Sequence, residues 1–346
     1  MVDKVNMGIV GCGMVSKNVM TARKFAKIKN IDFVACADTN IELATRFAKK
    51  HKIKEHHGSF DALLDKGDID AVYLAVPHFL HVDLVSKALK AGKHVFCEKP
   101  IATNVEDGLM LCNLAKKEGL KFGVNYQYRY DKGLHSMVKT IQNGNLGEIY
   151  HAAVRVPWYR DPAYFEKSIW HKKWETSGGG TLITHTSHAI DILAWALGKP
   201  STISGECNTK KYGDIGVEVE ENAAGVVKFD SGAIATILGS QVTKPSRQNC
   251  YWTFCGERGT IKAKYLFSMY AKVKYMGLKN VKVNPPRASF LAIIGSFRGF
   301  AAWILEEIPY LTPGWEALKA LCIVKAIYRS NDDVTKIKIG PLKWWH

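Results

Sequence analysis

Residues 5–16, Val-Asn-Met-Gly-Ile-Val-Gly-Cys-Gly-Met-Val-Ser, run an apolar stretch straight into a glycine-rich turn and on into a helical pattern. Residues 5–10 read as a strand buried on both faces, and residues 15–26 carry apolar side chains at helical spacing. The alternation then continues. Strands are expected at 32–37, 71–76, 94–97 and 121–125, with helices at 41–50, 81–91 and 105–118. Parallel strands need long crossover connections, so this order predicts a parallel sheet with helices on both faces.

The first turn reads Gly11-Cys12-Gly13-Met14-Val15-Ser16, a Gly-x-Gly-x-x-Gly pattern with serine in the third place. Gly11 permits a tight bend, and Gly13 lets the backbone come close to a pyrophosphate. The helix start at Met14 and Val15 offers N–H groups and the positive end of its dipole to an anion. Asp38 ends the second strand. A carboxylate there accepts hydrogen bonds from adenosine ribose hydroxyls and repels a 2′-phosphate, so NAD is expected over NADP. The alternative is a glycine-rich turn in a sheet that binds no nucleotide.

A second stretch stands out at 178–191, Gly-Gly-Gly-Thr-Leu-Ile-Thr-His-Thr-Ser-His-Ala-Ile-Asp. Three glycines leave a backbone that another molecule can approach closely, and a helix is expected over 181–197. Leu182, Ile183, Ala189, Ile190, Leu193, Ala194 and Leu197 would face inward, while Thr181, Thr184, His188 and Asp191 fall on another stripe at steps of three or four. That stripe reads either as a site or as a satisfied histidine with a packing aspartate. His185 and His188 lack a third ligand at suitable spacing, so no metal is expected.

At 346 residues, two domains are the default. Lysine and arginine number 48 against 32 acidic residues, a net charge of +16. Such a field attracts nucleic acid, anionic membranes or small anions. The basic residues are scattered and no nucleic-acid motif is present, which leaves small anionic ligands as the favoured partner. The densest basic run, 262–282, reads as strands and a loop with a solvated face. The apolar segment 290–311 is interrupted by Arg298, Glu306 and Glu307, which excludes a spanning helix and fits packing on the core or on another subunit, with peripheral membrane contact as the alternative. Eight cysteines form no Cys-x-x-Cys pair, and the chain opens on a strand rather than a charged-then-apolar leader. A cytoplasmic location is expected on both counts.

Two later strand ends carry a resemblance: Ala75-Val76-Pro77-His78-Phe79-Leu80-His81, and Gly92-Lys-His-Val-Phe-Cys-Glu98-Lys99-Pro100. With Gly11–Ser16, the pair His188 and Asp191, and the segment 311–330, they resemble the glucose–fructose oxidoreductase/inositol dehydrogenase (Gfo/Idh/MocA) family over residues 5–339. The resemblance implies that Lys99 lies beside the nicotinamide and the substrate hydroxyl, where a neighbouring positive charge favours the neutral amine and so proton transfer. The peptide to Pro100 is expected to be strained, with cis as one form of that strain, and to aim that lysine. Ala75, Pro77 and Glu98 would line the cofactor site, and His78 and His81 would approach the nicotinamide ribose, though capping or packing suits either histidine. Gln127 would meet the cofactor amide region, and Arg129 the fold or the substrate mouth. His188 corresponds to the family's acid/base. Thr184 stands where many members carry aspartate, and threonine can hold a substrate oxygen or relay a proton but cannot act as a base at neutral pH. In the aromatic and basic segment 158–173, Tyr159, Arg160 and Trp170 are substrate candidates, because aromatic faces suit sugar rings and arginine suits carboxylate or phosphate.

The expected architecture is therefore α/β plus α+β. A Rossmann domain over 1–126 precedes a substrate and oligomerisation domain over 127–346 with a large open, mainly antiparallel sheet. Runs at 217–228, 233–240, 251–255 and 260–263 supply that sheet, and a helix over about 315–329 packs back toward the first domain. The expected activity is NAD-dependent hydride transfer with a secondary alcohol of a sugar, cyclitol, sugar acid or nucleotide sugar, in a homodimer or homotetramer joined through the sheet. Redox-assisted glycoside cleavage and a non-catalytic NAD or sugar sensor are the alternatives.

Overall fold

Strand β1 (Val5–Val10), helix α1 (Met14–Phe25), β2 (Ile31–Ala37), α2 (Ile41–His51), β3 (Glu55–His57), α3 (Phe60–Lys66), β4 (Ala71–Leu74), α4 (His81–Lys90), β5 (His94–Cys97), α5 (Val105–Lys117) and β6 (Phe122–Val124) follow in order. The computed structural model describes residues 4–25, 28–66, 68–244, 248–266, 270–278, 292–333, 335–340 and 345. The six strands form one parallel sheet in the order β3-β2-β1-β4-β5-β6, the doubly wound order in which ligands bind beyond the carboxyl ends of the strands. Val72, Tyr73, Leu74, Val95, Phe96 and Cys97 are wholly buried, as strands covered on both faces must be. The β3–α3 pair is not evident in the sequence because Glu55-His56-His57 has no apolar signal, and pairing with β2 alone makes it a strand.

The second group of elements begins with α6 (Lys132–Gln142), β7 (Ile149–Pro157), α7 (Pro162–Lys167), α8 (Trp174–Ser177) and α9 (Ser187–Leu197). It continues through β8 (Pro200–Asn208), β9 (Asn222–Phe229), β10 (Ile234–Ser240), β11 (Cys250–Gly256), β12 (Gly259–Leu266) and β13 (Tyr270–Met276). Helices α10 (Ala292–Leu305) and α11 (Gly314–Asp333) and the short β14 (Ile337–Lys338) complete the chain. Eight of the strands make a sheet in the order β13-β12-β11-β7-β10-β9-β8-β14, antiparallel throughout except where β7 runs parallel to β10. The expected run at 217–228 starts as a strand only at Asn222, because Glu220 and Glu221 leave the ladder and turn inward.

The described chain divides into two units, Met1–Ala102 with Glu106–Gln127 and Ile293–Ala317, and Thr103–Val105 with Tyr128–Ala292 and Leu318–His346. In the first unit α10 places Phe297 against Phe33, Tyr73 and Phe96, which is why the apolar stretch around it is so rich in aromatics. Among the described residues no helix is long and apolar enough to cross a membrane. Residues 290 and 291, and 344 and 346 at the terminus, lie outside the described residues. In the second unit, α9 is tied to the sheet by the Trp252 indole donating to the Ala189 carbonyl at 3.0 Å. The other sheet face exposes Val226, Ile234 and Leu238 on β9 and β10. Further along that sheet, Lys262 faces Lys274 and Lys264 faces Lys272 across β12 and β13.

Candidate active site

In the first unit the turn after β1 has the geometry its glycines require. Gly11 adopts φ +87, and a Cβ there would lie 2.3 Å from the Ala75 carbonyl oxygen, so only glycine fits. Gly13 has nothing within 4 Å of where a Cβ would be, leaving its backbone open to a ligand. Ser16, in the third-glycine place, donates its hydroxyl to the Gly11 carbonyl at 2.5 Å and is itself buried. Asp38 closes the turn from β2. Its Oδ2 accepts the Cys12 N–H at 2.9 Å and its Oδ1 the Asn40 N–H at 2.9 Å. The first turn of α1 carries no acidic residue, and Met14 and Val15 are exposed at its start. A tight turn, an open glycine, a helix N-terminus free of negative charge and a fixed carboxylate together suit a dinucleotide.

The ends of β4 and β5 are cross-braced. The Glu98 Oε1 accepts the Tyr73 hydroxyl at 2.6 Å and the Asn125 side-chain amide at 2.7 Å. Burial raises the Tyr73 phenol well above its ordinary value, and the neighbouring Glu98 adds to this, so the phenol stays a donor. Ala75 donates its N–H to the Val10 carbonyl at 2.9 Å, and Pro77 leads into the single turn His78–Leu80. The Lys99–Pro100 bond is cis. His81 is wholly buried, with Nδ1 2.7 Å from the Pro100 carbonyl and Nε2 3.1 Å from the Val76 carbonyl. Both ring nitrogens therefore face the protein's own carbonyls. This supports the packing alternative for His81 over contact with a ribose. Burial lowers its proton affinity, and the Lys99 charge acts in the same direction. His78 is also buried, edge-on to His81. Gln127 opens the one-turn helix Gln127–Tyr130.

In the second unit the triple glycine departs from the sequence expectation. The groups that approach it come from the chain itself. A Cβ on Gly178 would press on Thr103, one on Gly179 on the Tyr328 hydroxyl at 2.3 Å, and one on Gly180 on the Glu220 carbonyl at 1.9 Å. The helix that follows is not uniform either. Leu182–Thr186 forms one π-helical turn before α9, and Thr184 donates its hydroxyl to the Gly180 carbonyl at 2.5 Å. An extra residue in that turn breaks the expected polar stripe. Thr181 and Asp191 are wholly buried, while His188 is half-buried. The His188 ring stacks on Tyr128 at 4.6 Å between centroids, and Tyr128 packs in turn on Tyr265 and Trp252. Arg129 is 1% exposed and pairs with Asp191, so it serves the fold here. Among the described residues, the buried hydroxyls of Thr181, Thr186 and Ser187 have no hydrogen-bond partner.

Arg160 sits in an aromatic cage. Its guanidinium carbon lies 5.2 Å from the Trp158 ring centre and 4.7 Å from that of Tyr164, and its Nε donates to His185 Nε2 at 3.2 Å. Because arginine only donates, His185 carries its proton on Nδ1 and is neutral. No carboxylate pairs with Arg160 among the described residues, and burial lowers its proton affinity without discharging it. Beside it, Lys211 and Lys244 lie over the Tyr159 ring at 4.6 and 4.8 Å, and Trp170 stacks on His171. Among the described residues no three metal-binding side chains converge.

Sequence reasoning missed Glu220, Glu221 and Tyr328. Glu221 takes the N–H groups of Lys210, Lys211 and Tyr212. Glu220 takes those of Gly180 and Leu182 together with the Tyr328 hydroxyl. The one signal for the two glutamates is their adjacency inside an alternating apolar run, Val217-Glu-Val-Glu-Glu.

Comparison with known proteins identifies the family. Residues 5–126 match the GFO/IDH/MocA oxidoreductase family, NAD-binding Rossmann fold, and residues 134–262 match the GFO/IDH/MocA C-terminal domain. An oxidoreductase of Formosa agariphila is 27% identical over 274 residues, covering 78% of this chain and 81% of that protein. The D-glucoside 3-dehydrogenase of Escherichia coli is 27% identical over 270 residues, covering 73% of this chain and 75% of that one. The crystal structure of the WlbA dehydrogenase from Bordetella pertussis, in complex with NADH and UDP-GlcNAcA, superposes with a TM-score of 0.86 at 27% identity, covering 97% of this chain and 99% of that one. The chain belongs to the Gfo/Idh/MocA family of NAD-binding oxidoreductases.

Proposed function

We propose that this NAD-dependent oxidoreductase acts on a secondary alcohol of an anionic sugar, a sugar acid or a nucleotide sugar. The observation that carries the substrate reading is Arg160, a charged guanidinium in an aromatic cage with no carboxylate partner among the described residues. Its Nε is engaged by His185, and the remaining N–H groups suit a planar carboxylate or a phosphate. Tyr159 and Trp170, which are only partly buried, offer ring surface for a sugar or a base. The anionic ligand of the WlbA relative and the glucoside substrate of the E. coli relative support the class.

When bound, NAD supplies the acceptor or donor of hydride. The alcohol carbon gives its hydride to the nicotinamide side while its hydroxyl proton passes to His188, with Lys99 as the second proton-handling group, and a carbonyl remains. Stacking on Tyr128 holds the His188 ring plane. Thr184 donates its hydroxyl hydrogen bond to the Gly180 carbonyl, so it meets the substrate as an acceptor. Gln127 and the strand-end residues Ala75, Pro77 and Glu98 shape the cofactor side.

Self-association fits the apolar part of the sheet at Val226, Ile234 and Leu238, because the facing lysine pairs on β12 and β13 would repel a second copy. Six of the eight cysteine side chains are buried, which supports a reducing, cytoplasmic setting.

The test is NAD with a panel of neutral glycosides, uronates and UDP-sugars bearing or lacking a carboxylate, followed at the NADH band. Turnover of the anionic members is the expected result, with Arg160→Met raising their KM at least ~10-fold, about 1.4 kcal/mol. Preference for neutral glycosides would overturn the Arg160 assignment. His188→Ala should retain NAD affinity and lose about a hundredfold or more in turnover. Product without net NADH would favour glycoside cleavage, and binding without turnover a sensor.

A further inference from the structure

Glu220 meets the start of the helical segment that carries Thr184, His185 and His188, although it comes from a loop some forty residues later. Three successive backbone N–H groups point at this one residue. Gly180 donates to Oε2 at 2.5 Å, Thr181 to the Glu220 carbonyl at 3.0 Å, and Leu182 to Oε1 at 2.8 Å. The Tyr328 hydroxyl adds a fourth bond, to Oε1 at 2.7 Å. The first N–H groups of a helix have no partner inside it, and here one glutamate supplies them from outside while placing its carboxylate at the positive end of the dipole. Gly179 and Gly180 are glycines because Tyr328 and Glu220 occupy the space a side chain would need.

The segment so held contains the π-helical turn Leu182–Thr186, with α9 and His188 immediately after it. A π turn contains one residue more than an α turn, and relaxing it to regular helix would rotate each later side chain by about 100° around the axis. Fixing the start of this turn therefore fixes where His188 points. The titratable groups that the described residues place against Glu220 are Tyr328 from α11 and Cys207 from β8, while Lys325 of α11 donates to the nearby Gly178 carbonyl at 2.7 Å. Neutral Gln241 donates to the Glu220 carbonyl.

We propose that Glu220 is a positioning residue for the oxidoreductase reaction, holding the π turn that aims His188. The inference rests on the reading that His188 handles the substrate proton. It acts through backbone geometry and touches no substrate. Glutamine at this position keeps one acceptor but turns an amide N–H₂ toward the Gly180 N–H, so half the cap is lost.

The test compares wild type, Glu220→Gln, Tyr328→Phe and His188→Ala, each as the full chain with NAD. Amide hydrogen exchange reads the segment 180–188, and the imidazole NMR titration of His188 reads its surroundings, neither requiring a known substrate. Glu220→Gln is expected to speed exchange at Gly180–Thr186 at least tenfold and to move the His188 titration, with NAD affinity within twofold of wild type. Tyr328→Phe should give a smaller change of the same kind. With any substrate the panel identifies, kcat should fall while the KM for NAD holds. Unchanged exchange and titration would overturn the proposal. If Glu220→Gln loosens the whole second unit, Tyr328→Phe decides: local loosening at 180–188 supports positioning, and uniform loosening overturns it. Retained turnover in His188→Ala would instead remove the proton-transfer reading and leave the exchange result standing by itself.

Discussion

The Arg129 guanidinium grips the Asp191 carboxylate through two parallel hydrogen bonds, Nε to Oδ2 at 2.9 Å and Nη2 to Oδ1 at 2.7 Å, with neither side chain reaching solvent. The Trp195 ring covers the guanidinium at 5.0 Å. Removing one partner strands a buried charge, so Asp191→Asn or Arg129→Met should cost roughly 3–5 kcal/mol of stability. The double variant with apolar residues at both places should recover much of that. Equilibrium unfolding of the three proteins checks it, and a double variant as unstable as the sum of the singles would refute the charge argument.

Gly11 and Gly13 should respond in opposite ways to the same methyl group. Gly11→Ala meets the Ala75 carbonyl at 2.3 Å on a backbone at φ +87 and should destabilise the first unit as well as abolish NAD binding. Gly13→Ala meets no atom within 4 Å, so the melting temperature should stay near wild type while NAD affinity drops at least ~10-fold, about 1.4 kcal/mol. Calorimetric titration with NAD beside thermal melts separates the two, and unaltered affinity in Gly13→Ala would place the pyrophosphate elsewhere.

Asp38 already accepts two backbone N–H groups, which fixes its carboxylate at the end of β2. Asp38→Ser removes the charge that repels a 2′-phosphate, and the ratio of NADP to NAD affinity should rise at least ~10-fold. The variant should also lose some stability, because the Cys12 N–H loses its acceptor. An unchanged ratio would contradict the ribose assignment.

Burial raises the Glu220 carboxyl from 4.5 to about 7. A carboxyl that holds its proton more tightly folded than unfolded contributes stability that is full below pH 4.5 and is lost as the pH rises toward 7. The shift corresponds to roughly 3 kcal/mol over that window. Asp131, raised by burial, tilts stability the same way, and His81 and His94, lowered by burial, tilt it the other way. Those contributions are common to wild type and Glu220→Gln, so the difference between their stability–pH curves isolates Glu220. Glu220→Gln should show the shallower decline, and parallel curves would mean that the carboxyl does not titrate in this window.

What was legible in the sequence lies in short stretches whose physics is local. The strand Val5–Val10, the bend at Gly11 and the helix start beyond it occupy adjacent residues, so apolar run, glycine and periodicity announce them without reference to distant parts of the chain. The Asp38 carboxylate was legible for a related reason, since it ends the next strand of the same unit. Thr184 and His188 were found as residue types, but they and Asp191 do not fall on the single helical stripe that the spacing assumed. The π turn changes the period that such a stripe assumes.

By itself the sequence determined the alternation of strands and helices and the glycine-rich turn between β1 and α1, because spacing and residue chemistry act over a few positions, while the candidate acid/base was named through the family resemblance. Tertiary structure decided which of those residues are exposed and what each is bound to. It closed the triple glycine against Glu220 and Tyr328, buried Asp191 on Arg129, and left Arg160 caged by rings without a carboxylate among the described residues. The physical reason is that desolvation and hydrogen-bond satisfaction depend on partners tens to hundreds of residues away. No local pattern records them.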